Sequence, residues 1–362
     1  MVDKEVLMDG AVVTDEELPL DANRRMIRLI QRVKDEYHFN KMPPDFDVSS
    51  EFKLVEVPEA EERILCDSLS TATIEDEECL LKGANLRIYG AVKNQPLLLR
   101  TAYFDIFELI LDGLQIDLPN YHNLVIGSPG IGTSFFHAFC LYVLIKANAP
   151  VFFQREEYSA LCYEGKVYEC KVPLSTSTLL SRSNIWVLYD RIEPPTTIFR
   201  RNVSIMVSSP KKARYWDYLK NSGCQGPLYM PLWNFAELMH INPHLPVELK
   251  VYSVEDLKMR FEFCGGVPRY IFNNFSSFES FYTEEISEVE MEHLYIKEGM
   301  DFDDVCEYIL ALQVPENYFE CKLDFLSRKI AAEVKDILQL KKELVLSDVM
   351  EEFCDYEAPF LL

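Results

Sequence analysis

Residues 124–136 read Leu-Val-Ile-Gly-Ser-Pro-Gly-Ile-Gly-Thr-Ser-Phe-Phe, and this stretch decides the fold class. The opening apolar triplet predicts a buried strand, the glycines predict a tight loop, and the apolar run after Ser134 predicts a helix. A glycine-rich loop between a strand and a helix can turn its N–H groups toward phosphate oxygens, and the helix dipole favours an anion there. The stretch therefore predicts a phosphate-binding loop in a layered α/β protein.

The spacing of this loop follows the nucleotide-binding pattern Gly-x-x-x-x-Gly-Lys-Ser/Thr, with Thr133 in place of the lysine. A lysine there reaches the β- and γ-phosphates, and losing one charge-assisted contact costs about 1.5–3 kcal/mol, roughly ten- to a hundredfold in affinity. We therefore expect ATP to bind with weak or no hydrolysis; a plain glycine-rich turn is the alternative. The candidate nucleotide-binding residues of the loop are Gly127, Ser128, Pro129, Gly130, Ile131, Gly132, Thr133 and Ser134.

Polar residues that follow the next predicted strands extend this candidate site. The apolar run 185–189 ends at Asp190, where an acid at a strand end can hold Mg²⁺ together with the Ser134 hydroxyl. A helix-capping or turn role for Asp190 is the alternative. Glu193, three residues further on, is a candidate for activating water, although the usual position is adjacent. Asp190 and Ser134 are thus the candidate metal ligands.

Two further elements downstream could contact the nucleotide. Ser208 and Ser209 follow the apolar run 203–207, a strand end that commonly senses the γ-phosphate in NTPases of the additional-strand type; a plain transition from strand to loop is the alternative. Arg269 follows a pair of glycines at a predicted helix start and could reach the nucleotide, or lie on the surface. The candidate catalytic residues are therefore Asp190, Glu193 and Arg269.

Composition limits the partners and the compartment. The 362 residues carry a formal net charge of −23, which disfavours binding of nucleic acid by the whole chain. The ten cysteines are scattered without a Cys-x-x-Cys pair, as expected for reduced thiols in an intracellular protein of the cytoplasm or nucleus. We expect no signal peptide and no membrane segment. His240 and His244 are discounted as a metal pair because Pro243 separates them, and the Glu51-Phe52-Lys53 and Glu169-Cys170-Lys171 tripeptides are discounted as nuclease sites.

Three regions follow from these patterns. Residues 1–95 form an acidic α+β region of unknown role, with a helix predicted over 21–37 and strands over 52–57 and 86–92. Residues 96–275 form the phosphate-binding domain, with a helix over 97–113, buried parallel strands, and a hairpin over 158–172. Residues 276–362 are predicted to be mainly helical, with helices over 302–312 and 326–340.

The middle region resembles the Crinkler and retrotransposon-hot-spot group of P-loop NTPases over about residues 97–275. The matching segments, in the order of that family, are residues 97–111, 127–136, 186–190, 207–212 with Tyr215 and 219–220, 228–233, and 260–270. The resemblance implies an AAA+ or STAND-like ATPase core of the additional-strand type, built on a parallel sheet. It assigns Asp190 to the Walker B position, Ser208 or Ser209 to sensor 1, and Arg269 to a lid or sensor-2 arginine.

Family members typically carry this NTPase as one module of an effector or toxin, coupled to a nuclease or kinase domain, and many act in the nucleus, those of pathogens in host cells. This chain departs from the pattern at Thr133, and neither the usual header nor a C-terminal effector domain is recognised in it. The resemblance implies a nucleotide as ligand, with Mg²⁺ as cofactor, and an unknown protein partner. Two alternatives stay open: a non-catalytic scaffold that keeps the fold, and an active ATPase in which Arg191, Arg200, Arg201 or Arg269 replaces the lysine.

Overall fold

The structure, a computed structural model, describes residues 21–36, 42, 45–56, 60–75, 79–83, 86, 88, 95–115, 121–155, 158–172, 176–182, 185–190, 202–246, 249, 251–273, 279–280, 282, 310–315, 317–337 and 339–340. Its strands are β1 (Phe52–Leu54), β2 (Thr73–Glu75), β3 (Leu80–Lys82), β4 (Leu97–Leu98), β5 (His122–Gly127), β6 (Val151–Arg155), β7 (Tyr158–Tyr163), β8 (Lys166–Cys170), β9 (Trp186–Asp190), β10 (Val203–Ser208), β11 (Pro227–Met230), β12 (Leu310–Gln313) and β13 (Lys322–Phe325).

The helices lie mainly between these strands. They are α1 (Ala22–Asp35), α2 (Val48–Glu51), α3 (Glu61–Thr71), α4 (Thr101–Gly113), α5 (Thr133–Lys146), α6 (Thr178–Arg182), α7 (Trp216–Ser222), α8 (Phe235–Ile241) and α9 (Val254–Cys264). Short 3₁₀ turns occupy Lys212–Arg214 and Asn242–His244, a π-helical turn occupies Arg269–Asn273, and residues 328–337 are helical.

One large mixed sheet organises the described residues, with the strand order β1-β8-β7-β6-β9-β10-β5-β11. The five strands from β6 to β11 in that order are mutually parallel, and β7, β8 and β1 continue the sheet from β6 in antiparallel pairs. The strands β2-β3-β4 and β12-β13 form two small, separate antiparallel sheets. The protein is therefore an α/β fold with a mixed sheet; the expectation of a parallel sheet holds for five of its eight strands.

The larger hydrophobic core lies between one face of this sheet and a layer of helices, and a smaller one lies on the opposite face. Every residue of β5, β9 and β10 is buried, because central parallel strands are covered on both faces. Helix α5 is buried from Phe136 to Leu144 and packs on these strands, while α1, α3 and α4 cover its other side. A helix enclosed in this way is apolar around its whole circumference, which explains the absence of a polar face in its sequence.

Several sequence predictions agree with the described elements. The helix predicted over 21–37 is α1, the parallel strands are β6, β9, β10 and β11, and the hairpin predicted over 158–172 is β7-β8. Glu164 and Gly165 form its turn, both with positive φ. In the C-terminal region the helix predicted over 326–340 is observed at 328–337.

Other predictions disagree in part with the described elements. The helix predicted over 97–113 begins only at Thr101, because Leu97 and Leu98 pair as β4 with β3. The helix predicted over 302–312 is contradicted at Leu310–Gln313, which is strand β12 paired with β13; residues 302–309 lie outside the described part. Of the strand predicted over 86–92, the structure describes Leu86 and Ile88, and neither is in a strand.

The N-terminal region contributes directly to this fold. Strand β1 pairs with β8 at the edge of the main sheet, and α1 packs against α4 and α5. Arg25 of α1 also forms an ion pair with Asp105 of α4, with 2.5 Å between Nη2 and Oδ1. The three-part division at residues 95 and 275 stays a prediction, but the described segments before residue 95 share the core of the middle region.

Two further observations concern the helices and the cysteines. In the described ranges no helix is both long enough and apolar enough to cross a bilayer. The eight cysteines that these ranges include are all free thiols. Burial raises the pKa of the Cys140 thiol well above its usual value, which keeps this group unreactive.

Candidate functional site

The glycine-rich loop between β5 and α5 adopts a backbone that its glycines make possible. Gly130 and Gly132 have φ values of 89° and 97°, in the region that side chains with a Cβ rarely adopt. A Cβ on Gly130 would lie 2.9 Å from the Arg269 Cβ and from the Val267 Cγ1. Close packing against the Arg269 segment and the positive φ together require glycine here.

Groups outside the loop donate hydrogen bonds to its carbonyl oxygens. The Trp233 indole Nε1 donates to the Ile131 carbonyl at 2.7 Å, the Tyr103 hydroxyl donates to the Gly132 carbonyl at 3.4 Å, and the Arg269 backbone N–H donates to the Gly130 carbonyl at 3.4 Å. Gly132 caps α5 without a side-chain hydrogen bond. The first N–H groups of a helix have no partner within the helix, so the loop and the helix start present donors suited to an anion.

A buried ion pair between Arg100 and Glu237 stabilises the segment that packs against the loop. The Arg100 Nε and Nη2 donate to both Glu237 carboxylate oxygens, at 2.8 and 3.1 Å, and its Nη1 and Nη2 also donate to the carbonyls of Pro231 and Leu232. The Arg100 side chain is 1% exposed, and its guanidinium lies 5.1 Å from the centre of the Trp233 ring. Arg100 thereby fixes the segment that carries Trp233, which in turn binds the loop.

A polar cluster lies at the carboxyl ends of the central strands, beside the start of α5. The Ser134 hydroxyl donates to the Asp190 Oδ1 at 3.1 Å, and the Arg155 Nε donates to the Asp190 Oδ2 at 3.1 Å. Arg155 is the last residue of β6 and Asp190 the last of β9, and the two are paired in register. The Asp190 side chain is 2% exposed and the Arg155 side chain 9%, so this is a buried ion pair that joins two strands to the helix after the glycine-rich loop.

His137 lies one turn further along α5 and faces the same strands. Burial lowers the pKa of its imidazole to about 3; a hydrogen bond with the Leu188 backbone opposes this shift, and the Arg155 charge reinforces it. The ring is therefore neutral at physiological pH, and it adds no charge to the cluster.

A cavity of about 330 Å³ opens in front of the loop. Its lining includes the loop residues from Gly130 to Ser134 and the side chains of Arg155 and Arg269. The other lining residues are mostly apolar. They are Ile88, Gln95, Pro96, Leu97, Leu98, Tyr103, Phe135, Trp233, Ile241, Leu245, Leu249, Pro268 and Phe272. The volume is at the lower end of the range for small-molecule sites, and a lining that combines a glycine-rich loop, two arginines and apolar side chains suits a ligand with an anionic group and a flat apolar group.

The predicted loop residues divide into two sets around this cavity. Gly130, Ile131, Gly132, Thr133 and Ser134 line it, whereas Gly127, Ser128 and Pro129 are absent from its lining. The Ser128 hydroxyl instead accepts a hydrogen bond at 2.9 Å from the Leu312 backbone N–H of β12. The Thr133 methyl group turns back toward Gly127, at 2.7 Å from where a Cβ on that residue would lie.

The remaining predicted residues lie in different places. Ser208 is aligned with Ile126 across the β10–β5 pair, so Ser208 and Ser209 lie beside the start of the loop, and neither lines the cavity. The Ser209 hydroxyl oxygen is buried and has no hydrogen-bond partner among the described residues. Arg269 is exposed and lines the cavity. Glu193, Arg191, Arg200 and Arg201 lie outside the described residues.

Sequence reasoning missed three residues of this site: Arg155, Trp233 and Arg100. Arg155 ends an apolar strand, like Asp190, and a charged residue directly after such a run was the signal that could have found it. No local pattern indicates the roles of Arg100 and Trp233, because their partners are about 100 or more residues away along the chain.

The structure describes the surroundings of Glu51 and of the two histidines that were discounted as sites. The Glu51 carboxylate accepts hydrogen bonds from the Ser177 hydroxyl at 2.7 Å, from the Thr178 backbone N–H at 2.8 Å and from the Thr178 hydroxyl, so it caps the start of α6. His240 and His244 have ring centres 5.8 Å apart. In the segments that are described, no group of three or more His, Cys, Asp or Glu side chains could hold a metal ion.

The fold and the site together define an α/β protein with a glycine-rich loop between a strand and a helix at the carboxyl edge of its mixed sheet. Comparison with known proteins gives a distant relationship: the chain is 27% identical over 184 residues to Crinkler effector protein 15 and to Crinkler effector protein 16 of Phytophthora infestans. Each match covers 49% of this chain, and the chain spans 29% of the length of these relatives. The similarity supports a Crinkler-like relationship. No protein-family model matches, and no solved structure gives a significant match.

Proposed function

We propose that this chain is a Crinkler-like nucleotide-binding protein that holds a nucleoside triphosphate, with ATP the expected ligand, and hydrolyses it weakly or not at all. The observation that carries the proposal is the cavity whose lining combines the glycine-rich loop with two arginines and a set of mostly apolar side chains. Phosphates would contact the N–H groups of Gly130 to Ser134, and the base would pack among the apolar side chains.

The strand order supports a P-loop NTPase core of the additional-strand type. Strand β10 lies between β5, which leads into the loop, and β9, which ends in Asp190. Ligands of open α/β sheets bind outside the carboxyl ends of the strands, where the cavity lies. The hydrogen bond between Ser134 and Asp190 is consistent with Walker A and Walker B roles for these residues.

The Mg²⁺ expected at Ser134 and Asp190 stays a prediction, and the residues present fit it poorly. Mg²⁺ needs oxygen ligands in near-octahedral geometry. Asp190 already accepts a hydrogen bond from Ser134 on one oxygen and from the Arg155 guanidinium on the other. A resident cation would therefore have to displace or adjoin a buried positive charge.

Weak hydrolysis follows from the substitution in the loop. Thr133 supplies no charge to the γ-phosphate, and its methyl group packs back on Gly127 instead of extending over the loop.

We extend to this chain the effector role that the relatives' names state, with action inside a cell, in the cytoplasm or nucleus, and with a protein partner.

Calorimetric titration of the full chain with ATP, combined with phosphate-release measurements, tests this proposal. We expect micromolar binding by the unchanged chain, and higher affinity or turnover in Thr133→Lys. Thr101→Lys is the matched control, because Thr101 is also the first residue of a helix but does not line the cavity. Absence of ATP binding by both the unchanged chain and Thr133→Lys would refute the proposal and leave a scaffold that keeps the fold.

A further inference from the structure

The ion pair between Arg155 and Asp190 forms part of the cavity wall. The two residues are aligned at the ends of the parallel neighbours β6 and β9, so their side chains leave the same face of the sheet. The Arg155 side chain is 9% exposed, yet it borders the cavity together with the loop residues from Gly130 to Ser134. A buried guanidinium therefore borders the same cavity as the loop that is predicted to bind the phosphates.

The same carboxylate connects this guanidinium to the loop helix. Asp190 Oδ1 receives the Ser134 hydroxyl and Oδ2 receives the Arg155 Nε, each at 3.1 Å. Asp190 thus holds Arg155 next to the first turn of α5. The carboxylate and the guanidinium fix each other's orientation before any ligand arrives.

An arginine can supply the positive charge that the loop lacks at position 133. A guanidinium is charged at all physiological pH values and offers planar pairs of N–H donors that match phosphate oxygens. A charge in a buried, low-dielectric position acts more strongly on a neighbouring anion than an exposed charge does. Of the described residues that line the cavity, Arg269 is the other cation, and it is exposed to solvent.

We propose that Arg155 supplies, from strand β6, the positive charge that a lysine at position 133 would supply from the loop, so that this site binds a nucleoside triphosphate without a bound divalent metal. This inference rests on the proposed nucleotide-binding function. The guanidinium takes the place of a metal ion beside Asp190, and the net charge of the cluster is balanced before the ligand enters.

Titrations of the full chain with ATP, in EDTA and in Mg²⁺, test the metal independence. We expect the unchanged chain to bind with similar affinity in both. Arg155→Gln should weaken binding in EDTA about ten- to a hundredfold, the value of one charge-assisted contact. Arg24→Gln is the matched control, since Arg24 is exposed on α1, outside the cavity lining.

Rescue separates a role in binding from a role in folding. Arg155→Gln leaves Asp190 without its buried partner and can destabilise the chain, so urea unfolding is measured on each variant. The double variant Thr133→Lys with Arg155→Gln should recover most of the lost affinity, because the charge returns from the loop. A structural defect at β6 would not respond to a lysine at position 133.

A second variant distinguishes the arginine from a metal site at the same carboxylate. Asp190→Asn removes a negative charge near the phosphates and keeps an oxygen that can accept from Arg155, so ATP binding in EDTA should not weaken. At a metal-dependent site the same variant weakens binding, because the metal ligand is lost.

The outcomes separate this inference from the function on which it rests. Binding by the unchanged chain in Mg²⁺ but not in EDTA would overturn the inference and keep the nucleotide-binding proposal. Unaltered binding by Arg155→Gln, failure of the double variant to recover affinity, or loss of binding in Asp190→Asn would also overturn it. Absence of ATP binding in both buffers would overturn both.

Discussion

Removal of the Arg100 guanidinium should destabilise the fold more than any single surface charge can. Arg100→Met keeps much of the side-chain volume but leaves the Glu237 carboxylate, 7% exposed, without its charged partner. Breaking a buried pair by removing one member typically costs about 3–5 kcal/mol. The carbonyls of Pro231 and Leu232 lose donors as well, so we expect a cost of at least about 3 kcal/mol.

Urea unfolding followed by circular dichroism measures this cost, and Arg32→Met is the matched control. Arg32 also forms an ion pair, at 2.6 Å from Asp112, but the Asp112 side chain is 64% exposed. Exposed pairs contribute about 0–1 kcal/mol. If Arg100→Met and Arg32→Met lower the free energy of unfolding by the same amount, the reasoning that burial makes the first pair essential to the fold is wrong.

Three further predictions concern the loop and two buried groups. Gly130→Ala should weaken ATP binding and cost about 1–2 kcal/mol in stability, because φ is positive and the new Cβ meets packed side chains; calorimetry and urea unfolding measure these effects. Gly165→Ala is the control, because Gly165 has a positive φ but no atoms lie near an added Cβ, so this variant shows the cost of the backbone conformation alone. Equal effects of the two variants on ATP binding would contradict the role of the loop. The pKa of His137 is about 3 in the fold and about 6.5 in the unfolded chain, so the unfolded chain binds more protons and stability rises with pH between these values. His137→Leu should therefore remove about 2 kcal/mol of the stability difference between pH 7 and pH 5, measured by urea unfolding at both; an unchanged difference counts against a neutral buried ring. Although burial acts to raise it, hydrogen bonds from Thr178 and Ser177 hold the pKa of Glu51 below its usual value, so its contribution is present above about pH 4.3 and lost as pH falls through the folded pKa. Glu51→Gln should cost about 1.5–3 kcal/mol at neutral pH, and an unchanged urea midpoint would show that the α6 cap is unimportant.

The parts of the fold that the sequence predicted are those in which local pattern and burial agree. Strand β9 is an apolar run up to Asp190, and β10 is apolar from Val203 to Val207 except at Ser204, because both strands are covered on both faces. Such runs are recognisable without knowledge of their neighbours. The strand and the helix around Gly127 to Ser134 were also predicted from their apolar runs. The loop between them was predicted from its glycines, because glycine spacing indicates where the backbone turns tightly.

The parts that the sequence did not predict depend on contacts between distant segments. Leu97 and Leu98 continue the helical pattern of α4, but pairing with β3 keeps them in a strand. The run 310–313 fits an amphipathic helix as well as it fits a strand, and only its pairing with residues 322–325 decides between them. Arg155 and Asp190 are 35 residues apart, and only the strand order makes them neighbours.

The hydrogen bond from the Leu312 N–H to the Ser128 hydroxyl has a consequence for how the protein matures on the ribosome. The two residues are 184 positions apart, and the hairpin of β12 and β13 also contacts the main sheet where the Tyr229 N–H donates to the Tyr318 carbonyl at 2.8 Å. At synthesis rates of about 5–20 residues per second, roughly ten to forty seconds separate the emergence of the loop from that of its late partner. A nascent chain therefore exposes the glycine-rich loop well before the hairpin that contacts it exists, and the finished loop is a late product of translation.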